Sequence, residues 1–290
     1  LSIIKTQEMS NFHKSVLLKE AIAGLRVEKN KRYIDATLGG GGHSFEILRL
    51  GGIVLGIDVD KDAIEHVEKL KPENLTLVRG NFRDIDKIAR SNNFEKVAGI
   101  IFDLGVSSHQ IDQPARGFSF QNEGPLDMRM DQGLGVRALD LIRILTKKEL
   151  YEIFTKFGEE ARSWQISDAI VSARSIKPIE TTKDLAEIVF KTAGQSKRVF
   201  QALRIVVNDE LNALKEALPK ALELLEENGR LCVISFHSLE DRIVKRKFIE
   251  FEEKGLGKII TQKPIVPSRG EIEKNKRARS AKLRIFEKIN

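Results

Sequence analysis

The amino-acid sequence predicts an α/β fold: a doubly wound, mostly parallel sheet with an all-helical domain inserted into it. Three observations predict it. Over the first hundred residues, short and continuously apolar β-prone runs alternate with helical periodicity. Glycines and carboxylates follow directly on the ends of several of these runs. Beyond Asp103, 127 residues of loop and helical pattern precede the next convincing strand at Leu231, where a βαβ crossover needs one helix.

The elements follow in order. Tyr33–Thr37 is a β-prone run that ends in glycines, and Ile53–Ile57, Leu75–Val78 and Val97–Phe102 supply three more. Their unbroken apolarity is that of parallel strands covered on both faces. Between them, Lys61–Leu70 sets Ile64 and Val67 three residues apart, and Ile85, Ile88 and Ala89 repeat the helical spacing. Residues 105–135, rich in Gly, Asp, Gln and Pro, read as a long functional loop. Helices are then expected over Leu139–Leu145, from a capping box of Thr146 with Glu149, and over Glu159–Arg174. Others follow from a cap at Thr181 or Thr182, over Arg198–Leu218 and, restarted by Pro219, over Lys220–Glu227. Asn228-Gly229 closes that last helix ahead of a strand at Leu231–Ser235, and Lys258–Gln262 and Lys282–Phe286 offer two final strands. The expected domains are 1–107 with 210–290, and an inserted loop and helical domain, 108–209, for substrate recognition.

Composition narrows the class. Of 290 residues, 41% are hydrophobic and 31% charged, enough for a sizeable core. Cys232 is the single cysteine, which excludes an internal disulfide and a cysteine-cluster metal site and suits a reducing cytoplasm. The longest apolar runs fall far short of the ~20 residues that span a bilayer, and residues 1–11 lack the apolar core of a secretory signal. The expectation is a cytoplasmic protein with no membrane partner. The net charge of +7 permits a polyanion, and its distribution says where one would lie. Residues 242–290 carry 15 basic and 6 acidic side chains, whereas the rest of the chain is nearly neutral at −2. Arg242, Lys245, Arg246 and Lys247, with Lys274, Lys276, Arg277 and Arg279, form runs suited to phosphate contacts that position RNA without reading it.

The glycine run Gly39–Gly42 after the first strand lets backbone N–H groups approach a ligand at a helix N-terminus. It is no P-loop, because the Lys-Ser/Thr ending is missing, and Ser44 stands where a dinucleotide fingerprint has its third glycine. Asp58, 19 residues beyond Gly39, ends the second strand where a carboxylate can accept both ribose hydroxyls. Asp35 would repel a dinucleotide pyrophosphate but not the amino-acid moiety of S-adenosylmethionine. Asn81 or Phe82 follows the third strand, where a side chain can pack on an adenine, and Phe82 reads equally as core. Asp103 ends the fourth strand. Ligands of open α/β sheets bind outside the carboxyl ends of the strands, so these groups converge on one crevice.

The blocks Tyr33-Ile-Asp-Ala-Thr-Leu-Gly-Gly-Gly-Gly-His43, Asp103-Leu-Gly-Val-Ser-Ser108, Arg116-Gly-Phe-Ser-Phe120 with Pro125-Leu-Asp-Met-Arg-Met130, and Ser235-Phe-His-Ser-Leu-Glu-Asp241 resemble the ribosomal RNA small-subunit methyltransferase H (MraW) family. The resemblance runs from about His13 to Phe286. It implies a class I (Rossmann-like) S-adenosylmethionine-dependent methyltransferase acting on the exocyclic N4 of a decoding-region cytosine, cytosine 1402 in rRNA numbering, of 16S rRNA within the small ribosomal subunit. It also implies cofactor contacts at Gly41, Gly42, His43, Asp58, Phe82, Asp103 and Gln110. The Asn/Asp-Pro-Pro-aromatic sequence of many amino-group methyltransferases is absent after the fourth strand, where Asp103-Leu-Gly-Val stands. Asp103 is the candidate acceptor for the amino protons, with cofactor binding as its other reading, and Phe118 and Phe120 are candidates to stack the extruded base.

Other residues carry blander expectations. The five histidines (His13, His43, His66, His109, His237) lack metal-ligand spacing, so no metal is expected. His13 reads as a surface residue or one that approaches the site. His237, Ser238, Glu240 and Asp241 suit helix capping or a substrate mouth; Cys232 suits the core; Arg204 and Asn208 suit packing or a crevice-facing position. A nicotinamide-dependent oxidoreductase and a non-enzymatic RNA-binding protein are the competing classes, and the chain reads equally as monomer or homodimer.

Overall fold

The computed structural model describes residues 15–289; His13 lies outside the described residues. The strands are β1 Arg32–Asp35, β2 Ile53–Asp58, β3 Leu75–Arg79, β4 Val97–Asp103, β5 Leu225–Ser235, β6 Gly257–Ile259 and β7 Lys282–Lys288. The helices are α1 Leu18–Leu25, α2 Gly42–Arg49, α3 Lys61–Lys69, α4 Ile85–Ser91, α5 Ser108–Asp112, α6 Ala138–Ile144 and α7 Lys147–Gly158. They continue with α8 Ser163–Ile176, α9 Thr182–Ala193, α10 Lys197–Asn208, α11 Glu210–Leu224, α12 Ser238–Glu253 and α13 Arg269–Lys274. The chain divides into two compact units, one running to Ser107 and resuming at Leu211, the other spanning Ser108–Glu210.

The first unit is built on a seven-stranded sheet in the order β3-β2-β1-β4-β5-β7-β6. Strands β1 to β5 pair in parallel, and β7 runs antiparallel between β5 and β6. This is the class I, Rossmann-like α/β arrangement, in which strand order reverses between β1 and β4. Side chains alternate across the pleat. Ile34, Ile57, Ile100, Phe102 and Val233 enter one core with residues of α4, α11 and α12. Tyr33, Val54, Ile101, Cys232 and Ile234 enter the opposite core with residues of α1 and α2. Both faces are thus covered, which is why these strands read as unbroken apolar runs.

The second unit has a core of its own, including Leu126, Ile142, Phe154, Ile170, Leu185, Val199 and Leu203. Capping boxes start its helices where the hydroxyls announce them. The Thr146 side chain accepts from the Glu149 N–H, and Thr181 accepts from that of Asp184. Its long loop is tightly built. Arg116, buried, donates from Nη2 to the carbonyls of Arg129 and Met130 at 3.2 and 2.9 Å. Arg129 clamps Asp127 at 2.8 and 2.7 Å, and Asn208 accepts from the Met130 N–H at 2.7 Å while donating to the Met128 carbonyl.

Several boundaries differ from the sequence reading. Glu159 ends α7 in a left-handed conformation at φ 48°, so the next helix starts at Ser163. Asp209, at φ 50°, breaks the expected helix over Arg198–Leu218. Pro219 restarts nothing and lies inside α11, where its missing donor removes one backbone bond. The chain turns extended at Leu225 instead of continuing helical to Glu227, because Leu225 pairs with Val97 of β4. Strand pairing there overrides local helix propensity, and Asn228 takes up the register shift at φ 63°.

Candidate active site

The carboxyl ends of β1, β2 and β4 bring the expected polar residues of the first unit together. Glycine supplies the conformations that the first loop needs. Gly39 and Gly41 sit at φ 50° and 78°, and a Cβ on Gly41 would lie 2.6 Å from the Phe45 ring. A Cβ on Gly42 would overlap the Ser15 hydroxyl, so this backbone is approached closely from outside. Gly41 is the N-cap of α2 and offers no side-chain acceptor to the first-turn N–H groups, which suits them to an anionic ligand group.

Around that loop the carboxylates are fixed by short bonds. Asp35, 1% exposed, accepts from the Ser44 hydroxyl at 2.7 Å and from the Thr37 N–H at 3.2 Å. Ser44 therefore occupies the fingerprint's third glycine position because its hydroxyl holds Asp35. Asp58 accepts from the Gly39 N–H and the Asp60 N–H, both at 2.8 Å, one on each oxygen. A carboxylate has about four lone-pair positions, so each oxygen retains acceptor capacity for a further donor. The Asp103 N–H donates to the Thr37 hydroxyl at 2.6 Å, and His43 Nδ1 lies 3.7 Å from Asp103 Oδ2. His43 is 4% exposed, and its Nε2 is buried without a hydrogen-bond partner among the described residues.

These placements set the electrostatics. Burial raises the Asp35 carboxyl above the usual range, against the pull of His43 and of the Ser44 and Thr37 hydrogen bonds, with Asp103 adding to the rise. Burial likewise pushes Asp58 up to about 6, opposed by its two N–H bonds and reinforced by Asp60 and Asp35. Such a crevice favours a ligand that is cationic or rich in donors, and it opposes a pyrophosphate.

A family model described as the MraW methylase family matches residues 10–289. The chain belongs to that family. It is 46% identical to the Ribosomal RNA small subunit methyltransferase H of Carboxydothermus hydrogenoformans, covering 96% of this chain and 98% of that protein. The corresponding protein of Halothermothrix orenii is 44% identical, with 96% and 98% covered. Among solved structures, an rRNA methylase from Streptococcus thermophilus is similar with a TM-score of 0.46 and 14% identity, covering 96% of this chain and 98% of that one.

The family's methyl donor is S-adenosylmethionine, and the residues present fit it. The uncapped N-terminus of α2 suits the cofactor's carboxylate, the buried carboxylates suit its ammonium and sulfonium charges, and Asp58 retains capacity for the ribose hydroxyls. Phe82 is partly buried, edge-on to Phe102 at 5.6 Å, so it contributes to the core. Gln110 is buried on α5, in the second unit.

Sequence reasoning missed two residues. Thr37 holds the Asp103 backbone, and its signal was its position two residues after Asp35. Ser15 covers Gly42 and has no comparable signal. Other residues resolve as structural. His237 caps α12, accepting from the Glu240 N–H, while Glu240 accepts from the Phe236 N–H at 2.8 Å. Asp241 holds Arg284 and Lys282 at 2.6 and 3.0 Å. Arg204 makes a two-bond pair with Glu210, both bonds at 2.9 Å. Cys232 is fully buried, and its thiol is pushed up to about 12 by that burial.

Proposed function

We propose that this chain methylates 16S rRNA, transferring the methyl group of S-adenosylmethionine to the exocyclic N4 of cytosine 1402 in the decoding region, within the small ribosomal subunit. The observation that supports it most is the gathering of Asp35, Asp58 and Asp103 around an uncapped glycine-led helix in a chain 46% identical to a Ribosomal RNA small subunit methyltransferase H. In this reading Gly41, Gly42, His43, Asp58, Phe82, Asp103 and Gln110 hold the cofactor. The unit spanning Ser108–Glu210 recognises the RNA.

When bound, the cofactor supplies an electrophilic methyl group, and alignment of the two partners provides most of the rate. The residues of the chain govern the nucleophile. The cytosine N4 lone pair is delocalised into the ring, so an acceptor for the amino protons helps the nitrogen pyramidalise and then lose a proton. Asp103 is that acceptor. Its backbone is pinned by Thr37, and its carboxylate is mostly buried beside His43, so it faces the reacting amine without reorganising. The target base must leave any helix to reach such a crevice. Methyl transfer from radiolabelled cofactor to small subunits lacking the modification, with the product nucleoside identified, tests this function. Label in another nucleoside overturns the assigned target, and no label in RNA overturns the function.

A further inference from the structure

The second unit carries a groove of about 750 Å³ bounded by the loop after Phe118, by α9 and by the start of α10. That volume falls in the ~300–1,000 Å³ range of built ligand sites. Two aromatic rings open into solvent along it. Phe190 is 62% exposed, and Phe120, held edge-on against Phe200 at 5.5 Å, is 40% exposed. Apolar rings left this open mark a surface that something else covers.

The polar lining says what kind of partner fits. Lys183, Lys191 and Lys197 rim the groove, and among the described residues none of them is held in an ion pair. Glu123 and Glu187 also line it, leaving a surplus of one positive charge, and Gln195 adds an amide with both donor and acceptor. Aromatic faces for bases, lysines for phosphates and an amide for base edges together form the recognition set for unpaired RNA. A protein surface of the same area would leave the lysines unmatched unless it were acidic. We propose that this groove binds a single-stranded stretch of the RNA substrate, with a base stacked on Phe190 or Phe120 and its phosphates on the lysine rim. The proposal rests on the reading of the chain as an rRNA methyltransferase, and it adds a nucleotide-binding surface built wholly within the inserted unit.

The test uses the full chain, a fluorescein-labelled single-stranded oligoadenylate as probe, and the variants Phe190→Ala and Lys191→Glu. Both side chains are exposed, so both variants fold. Stacking of one base contributes ~1–3 kcal/mol, so Phe190→Ala weakens oligonucleotide binding roughly five- to 150-fold. Lys191→Glu weakens it and lowers the salt slope by about one. In methyl transfer to small subunits, both variants raise KM and leave kcat and S-adenosylhomocysteine affinity unchanged. A wild-type chain that does not bind the oligonucleotide, or variants that bind it as the wild type does, overturns the proposal. Loss of subunit binding with oligonucleotide binding intact assigns the groove to a protein partner and also overturns it. If the wild-type chain methylates no RNA yet binds the oligonucleotide through Phe190, the functional reading fails and the groove stands.

Discussion

Asp58 makes the cofactor crevice sensitive to pH, and the size of the effect follows from its environment. Burial pushes its carboxyl up to about 6 in the folded chain, against an ordinary value of 3.8. Between those values the native state holds more protons than the unfolded chain. This group's contribution to stability therefore falls as pH rises through the window, and above it the loss amounts to about 3 kcal/mol. At about pH 5, protonation of Asp58 stabilises the ligand-free fold by about 1.4 kcal/mol relative to about pH 7.5. In the proposed function the ribose hydroxyls donate to the ionised form, so binding releases that proton. The ionised fraction falls to roughly one in eleven at about pH 5, so affinity drops about ten-fold across the same range. Calorimetric titration with S-adenosylhomocysteine measures this, with Asp58→Asn in parallel to separate it from Asp35 and Asp60, which face it. The variant binds more weakly and without the slope. A wild-type affinity that stays constant from about pH 5 to 7.5, or a variant that keeps the ten-fold slope, refutes the reasoning.

Three further outcomes follow from particular contacts. Asp103→Asn abolishes methyl transfer while S-adenosylhomocysteine affinity stays within a few-fold, and full methylation by that variant would remove Asp103 from the chemistry. Gly117→Ala forces a side chain onto a residue at φ 72°, where a Cβ would overlap the Pro125 carbonyl; thermal unfolding should show a loss of about 1–3 kcal/mol, and an unchanged Tm contradicts a rigid loop. Lys276 and Arg279 are exposed and make no ion pair among the described residues. Reversing both charges weakens binding to small subunits and flattens its salt dependence, with cofactor affinity as the control that must not move.

The sequence exposes the sheet's strands because burial on both faces removes polar residues from them, as in Val97–Phe102. The residues gathered at the crevice are equally legible, since a run of glycines and carboxylates at strand ends stands out against the apolar strands before them. What escapes is set by pairing across long separations. Nothing local in Leu225-Glu226-Glu227 announces a strand; its partner Val97 lies more than a hundred residues away. Thr37 looks like any turn threonine until β4 places the Asp103 N–H against its hydroxyl. The basic tail shows the same limit from the other side. Its charge suggests an open surface, yet Arg284 and Lys282 are tied to Asp241, and Lys258 is tied to Glu287. Composition counts those cations without showing which of them are already neutralised.

The join between β4 and β5 has a consequence for how the chain assembles and diversifies. These neighbouring strands are separated in sequence by the whole Ser108–Glu210 unit. Loop-closure entropy grows only with the logarithm of length, about 0.6 kcal/mol per doubling. Lengthening a short crossover to this span thus costs about 1–2 kcal/mol, and less once the inserted unit has condensed on its own core. The sheet treats the insert as a tether whose content is thermodynamically almost invisible to it. A different module spliced between the same two strands would leave their register intact, so the insert can be exchanged at this seam while the sheet stays as it is.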